Sequence, residues 1–169
     1  MQRNRLKKKN CFRLERAWSD CMEDESKIIK EMEAILRKKA EEIYSEKVVE
    51  YGTNPKNYGA IDNPDGYAKE PDECGKDVEM FLQVKNGIVI EAKFRAKGCM
   101  FTIAACDAAA EMSKGKTVPE CFKINQSSIL KYLGGLPADH IHCALFAAII
   151  FQRALKNYIV KNKKRDYPK

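Results

Sequence analysis

The sequence predicts an α+β fold: a small antiparallel sheet packed with helices, preceded by a long N-terminal helical extension. Three observations predict it. Apolar and polar residues alternate from Val78 to Arg95 around a central Asn86-Gly87, alanine and apolar positions recur at helical spacing from Thr102 onward, and a separate helical period runs from Leu14 to Tyr44.

The extension covers residues 1–43. Leu14, Trp18, Met22, Ile29, Met32, Leu36 and Ile43 recur at three- and four-residue intervals amid Lys and Glu, which describes one long helix or two. Such a face serves either as an amphipathic helix laid on a core or as a docking or homodimerisation surface. Turn formers then crowd Gly52 to Gly59 and Asn63-Pro64-Asp65-Gly66, so the chain is expected to run irregularly before any sheet begins. In the hairpin, Val78, Met80, Leu82 and Val84 share one face, as do Ile88, Ile90, Ala92 and Phe94 on the return strand. Asn86-Gly87 suits a two-residue turn with positive φ at both positions. Helices follow over Thr102–Met112, closed by Lys114-Gly115-Lys116, and over about Gln126 to Leu133, stopped by Gly134-Gly135. Pro137 is placed to open a last helix that runs to about Val160, and residues 162–169 form a basic tail.

With 169 residues, 44% hydrophobic and 33% charged, the chain is long enough for one cored domain plus an appended element. The most apolar window, Ile141–Phe151, is interrupted by His142 and ends at Gln152-Arg153, which reads as a buried helix rather than a membrane span. Seven cysteines without an apolar leader in Met1–Leu6 indicate reduced thiols and a cytoplasmic setting, with an organellar matrix as the second reading. The net charge of +7 belongs to the ends: residues 1–20 carry +5, residues 153–169 carry +6, and the rest is net −4. No basic face for specific nucleic-acid binding follows from that distribution.

Chemistry concentrates where loops meet regular elements: Cys74 in Glu73-Cys74-Gly75, Cys99 in Lys97-Gly98-Cys99, and the pair His142-Cys143. Cys74 enters the first strand of the hairpin and Cys99 leaves the second, so an antiparallel pair returns them to the same end. Cys99 precedes one helix and Cys143 lies in the first turns of another. Exposed N–H groups there favour thiolate over a thiol of pKa about 8.5. Cys106 and Cys121 read as small buried apolar residues, and Cys11 and Cys21 lack a diagnostic spacing. His140, about 200° round a helix from His142, reads as a surface residue.

These residues resemble the iron-sulfur cluster assembly scaffold family, of the IscU and NifU N-terminal domain type. The resemblance is carried by Tyr44-Ser45-Glu46-Lys47-Val48-Val49, Asn54-Pro55-Lys56-Asn57, Cys74-Gly75, Gly98-Cys99 and Leu133-Gly134-Gly135-Leu136-Pro137 with His142-Cys143, and it spans residues 44–161. It implies a three-stranded antiparallel sheet and a site in which Cys74, Cys99, His142 and Cys143 ligate a transient [2Fe-2S] cluster or, in isolated protein, a zinc ion. It further implies that Cys143 accepts persulfide sulfur from a cysteine desulfurase, that Fe(II) enters, that an electron donor such as a ferredoxin reduces the sulfur, and that acceptor apo-proteins receive the product. The scaffold itself turns nothing over.

The chain departs from the family pattern in three places. Lys76 stands where the family carries a metal-binding Asp, with Asp77 next to it, so both are candidate modulators of the site. On a strand a one-residue slip turns Asp77 to the other side unless the loop is bulged. The segment Leu136-Pro137-Ala138-Asp139-His140-Ile141 lacks the Leu-Pro-Pro-Val-Lys motif read by a dedicated Hsp70-type chaperone, which argues against that partner. The extension 1–43 has no counterpart in the family core. The main alternative is a Cys3His zinc protein with a structural or sulfur-regulating role. An enzyme using Cys143 with His142 or His140, oriented by Asp139, leaves Cys74 and Cys99 without a role.

Overall fold

The structure is a computed structural model that describes residues 26–71 and 77–166, with side chains up to 162. Leu14, Trp18, Met22, Cys11, Cys21, Cys74, Lys76 and the basic tail therefore lie outside the described residues or side chains. The chain divides into two compact units between Ile43 and Tyr44. In the first, residues 26–43 form helix α1, with an Arg37–Glu41 ion pair one turn apart at 3.0 Å. Its Ile28, Ile29, Met32, Ile35, Leu36 and Ile43 are exposed.

The second unit is α+β. Its elements are α2 (Glu46–Thr53), β1 (Gly66–Pro71), β2 (Asp77–Lys85), β3 (Ile88–Ala96), α3 (Met100–Ser113), α4 (Val118–Cys121), α5 (Gln126–Leu133), a 3-10 turn (Ala138–His140) and α6 (Ile141–Asp166). The sheet is an antiparallel meander in the order β1-β2-β3.

β1 arises from Gly66-Tyr67-Ala68-Lys69-Glu70-Pro71, in a stretch with no apolar alternation, because it pairs residue by residue with β2 from Gly66↔Leu82 to Pro71↔Asp77. The pairing of β2 with β3 holds one correction. Val84 opposes Val89 while Gln83 opposes Glu91, so Ile90 is an extra residue and the ladder is bulged. One inserted residue reverses the alternation beyond it. Ala92, Phe94 and Ala96 face the core, but at the turn end Val89 is buried while Ile88 and Ile90 are exposed, opposite to the expected face. The turn adopts the expected geometry, with positive φ at both Asn86 and Gly87.

Helices cover one side of this sheet. α3 is apolar all round, with ten of its fourteen residues buried, and it packs against α2, α5, α6 and β3. α6 lies along β1, β2 and α3. By length and composition α6 could cross a membrane, yet 44% of its apolar window is buried in the fold, where Ala144, Ala147, Ile150, Phe151, Ala154 and Leu155 form part of the core. α4 was not expected; it is opened by a Thr117–Glu120 capping box with Pro119 in its first turn. Ser45 caps α2 by accepting from the Val48 N–H, and its hydroxyl donates to the Leu133 carbonyl at the end of α5.

One fully buried carboxylate fixes the segment after α2. Asp107 on α3 accepts hydrogen bonds from the backbone N–H of Lys56 at 3.0 Å and of Asn57 at 2.8 Å, and from the Asn57 side-chain amide at 2.8 Å. Burial raises the Asp107 carboxyl above its ordinary range, and the three donors counter only part of that rise.

At Gly66 β1 packs directly against the backbone of α6. A Cβ there would stand 2.5 Å from the backbone carbonyl oxygen of Ala154, which cannot rotate away. Gly66→Ala is expected to destabilise the protein by about 1–3 kcal/mol. In urea unfolding the midpoint should fall with little change in slope.

Candidate metal centre

The start of α3 and the start of α6 meet at one end of the helical layer. Cys99 is the N-cap residue of α3, in extended conformation, and it is exposed. Cys143 lies on the first turn of α6 and is only 2% exposed. Their sulfurs are 3.9 Å apart. Two thiolates on one tetrahedral ion, each about 2.3 Å from it, are separated by about 3.8 Å, so the pair already has the spacing of shared metal ligation.

Thr102 stands between the two thiols. Its hydroxyl lies 3.4 Å from Cys99 Sγ and 3.5 Å from Cys143 Sγ. Burial works to raise the Cys99 thiol, but the Thr102 hydroxyl, the N–H groups of Thr102 and Phe101, and the Cys143 thiol together outweigh it. The thiol is held below its ordinary value. The helix start acts through these N–H groups without a capping hydrogen bond of full geometry.

The two histidines differ: His140 gathers with both cysteines, whereas the predicted ligand His142 lies beside Cys143 and outside that group. His142 Nε2 is 3.5 Å from Cys143 Sγ, close to the roughly 3.6 Å edge between sulfur and imidazole nitrogen on a tetrahedral ion. His140 corrects the sequence expectation. It ends a 3-10 turn rather than sitting on an α-helix, so the 200° argument fails. It is half-buried, its ring stacked on Phe101 with centroids 4.2 Å apart. Among the described residues, one group of potential ligands lies within 4.8 Å of one another: Cys99, His140 and Cys143. Pro137, the Pro expected to open α6, instead precedes this turn, and its carbonyl accepts from the His140 N–H at 2.8 Å.

Cys74 and Lys76 fall in the connection from β1 to β2, outside the described residues. That connection returns at Asp77, whose carbonyl accepts from the Lys97 N–H at 3.3 Å, two residues before Cys99. The Asp77 carboxylate is engaged elsewhere, 2.9 Å from Lys69 Nζ across the sheet, and it is not among the ligand atoms gathered around Cys99 and Cys143. Cys106 and Cys121 are fully buried, and burial pushes the Cys121 thiol up to about 11.

A model of the NifU-like N terminal domain matches residues 43–165. The chain belongs to this family. It is 38% identical over 125 residues to the iron-sulfur cluster assembly scaffold protein IscU 1 of Archaeoglobus fulgidus, covering 73% of this chain and 82% of that protein. It is 36% identical over 129 residues to the iron-sulfur cluster assembly enzyme IscU of Drosophila melanogaster, with the same coverage of 73% and 82%. Among solved structures, the N-terminal part of a nitrogen-fixing NifU-like protein from Brucella abortus superposes with a TM-score of 0.58 at 17% identity, over 69% of this chain and 94% of that one. That last likeness is one of fold. The NifU-like match begins at residue 43, one residue before the second compact unit, so all of α1 but Ile43 lies outside it.

In this NifU-like domain Thr102 is the residue whose removal tests the thiol electrostatics. Thr102→Val keeps the shape and deletes the hydroxyl that lowers the Cys99 thiol. Cys99 alkylation by iodoacetamide should then require higher pH, the midpoint of its pH–rate profile moving upward. An unchanged midpoint would show that the hydroxyl has no such effect.

Proposed function

We propose that this chain is a scaffold on which an iron–sulfur cluster is assembled and from which it is handed to acceptor proteins. The observation that carries the reading is the 3.9 Å spacing of the Cys99 and Cys143 sulfurs beside an imidazole, in a chain of this family. Thiolate and imidazole together suit iron and zinc. In this reading Cys74, Cys99, His142 and Cys143 hold a [2Fe-2S] cluster as cargo, and zinc takes the same place in protein isolated without iron and sulfide.

Sulfur arrives on Cys143. Its thiolate attacks the outer sulfur of a persulfide on a cysteine desulfurase, a new S–S bond forms as the donor's breaks, and the donor cysteine leaves as thiolate. Reduction of that sulfane sulfur to sulfide draws electrons from Fe(II) and from a donor such as a ferredoxin. Access is divided between the two thiols: Cys99 is open to iron from solvent, whereas Cys143 is 2% exposed and is reached when the desulfurase docks. No substrate is turned over by the chain itself.

Lys76 supplies a cation and no lone pair at a position where the resemblance calls for a carboxylate. A positive charge beside thiolates stabilises them, and a missing oxygen ligand changes how readily the cluster leaves.

Anaerobic incubation with Fe(II), cysteine and a desulfurase should yield the absorption and Mössbauer spectra of a [2Fe-2S] cluster, and Cys99→Ser and Cys143→Ser should each abolish it. Zinc retained with no cluster formed would favour the zinc-protein alternative and overturn the proposal. Reconstituted Lys76→Asp protein is expected to differ from the parent in cluster occupancy or transfer rate, and equal values in both would remove Lys76 from the account.

A further inference from the structure

We infer that His140 is itself a metal ligand of this centre, closing with Cys99 and Cys143 on one divalent ion that accepts thiolate and imidazole together, Fe(II) or Zn(II). The inference rests on the scaffold reading for what the metal is used for. It stands apart from that reading on whether the metal binds.

The geometry comes from three separate parts of the fold: the cap of α3, the 3-10 turn, and the first turn of α6. Their ligand atoms lie within 4.8 Å of one another, against edges of about 3.8 Å between sulfurs and about 3.6 Å between sulfur and nitrogen in a tetrahedral site. A side-chain adjustment closes that difference. The imidazole is also held in place before any metal arrives. Its ring lies nearly parallel to Phe101, at 28°, and Phe101 is itself 8% exposed and edge-on to Tyr44 at 5.2 Å.

The two ring nitrogens differ in their surroundings. Nε2 is 3.5 Å from the Asp139 carboxylate, whereas Nδ1 is buried and has no hydrogen-bond partner. Buried imidazole nitrogens are ordinarily paired, so a dry, unpaired nitrogen needs an explanation. A metal on Nδ1 with a carboxylate on Nε2 is the arrangement by which proteins commonly orient a ligating histidine. Phe101 alone would account for the ring's position but not for a nitrogen left without a partner.

The test uses full-length protein stripped of metal and titrated anaerobically with Co(II), which reports thiolate and imidazole ligation by its absorption. His140→Phe keeps a ring to stack on Phe101 and removes both nitrogens. It should weaken Co(II) binding about tenfold or more and alter the ligand-field bands. His140→Gln, with fold checked by circular dichroism, replaces it if the Phe variant does not fold. In His142→Ala loaded with Zn(II), X-ray absorption should still show imidazole scattering. The inference is overturned if wild-type protein binds no Co(II), if the folded His140 variant keeps parental affinity and spectrum, or if imidazole scattering vanishes with His142. Cluster assembly that proceeds with His140 silent sinks this inference alone. His140-dependent Co(II) binding without any cluster sinks the scaffold reading and leaves His140 a ligand.

Discussion

The candidate site depends on how closely α3 and α6 approach, and alanine sets that distance. Ala104, Ala105, Ala108 and Ala109 on α3 and Ala144, Ala147 and Ala148 on α6 are buried at 0–4% exposure. Side chains this short let helix axes come toward the lower end of the usual 8–10 Å range. At a wider separation the Cys99 and Cys143 sulfurs would not stand 3.9 Å apart. Larger core residues could bury more apolar area, so the alanine-rich seam forgoes some hydrophobic stabilisation in favour of proximity. Gly66 repeats the device where β1 meets the Ala154 carbonyl of α6.

Around that seam the polar groups are few and committed. Asp107 is enclosed on α3 and holds Lys56 and Asn57, while Thr102, about one and a half turns nearer the cap, faces both thiols. The two sit on a helix that is otherwise almost wholly apolar. The buried carboxylate thus anchors the segment that pairs along the edge of β3, and the buried hydroxyl tunes the thiol at the helix start. Placing both on one rigid element fixes the cap geometry from within the core, so Cys99 is held by α3 even though its side chain is exposed.

The hairpin, α3, α5 and the turn at Asn86-Gly87 were legible because period and turn chemistry are local properties of the chain. β1 was not, since Gly66-Tyr67-Ala68-Lys69-Glu70-Pro71 has no alternation and owes its extended state to β2. The bulge at Ile90 was equally hidden: a two-residue period written in sequence carries no mark of an unpaired residue, and the error fell on Ile88, Val89 and Ile90. Of the site, Cys99, His142 and Cys143 could be picked out by their junction positions. His140 could not, because its place follows from a change of helix type after Pro137, where three residues per turn replace the spacing assumed. The one available signal was Phe101, an aromatic directly inside the α3 cap with nothing in the sequence to name its stacking partner.

The sheet's margins decide how this protein can be approached. Along β3 the outer hydrogen-bonding groups are taken up by neighbouring loops: Phe94 exchanges bonds with Asn57 and Gly59, and Val89 with Gly115 and Lys116. On β1 the Tyr67 N–H points outward to the Asn157 side chain at 3.2 Å, so by strand alternation Lys69 and Pro71 are the other outward positions. Proline has no donor, and a lysine is the residue that keeps strange strands away. At these positions of the described sheet the main chain is already engaged or lacks a donor, which disfavours zippering with another polypeptide. What the described domain leaves open to a visitor is side chains, at the helix faces and at the junction where Cys99 stands exposed.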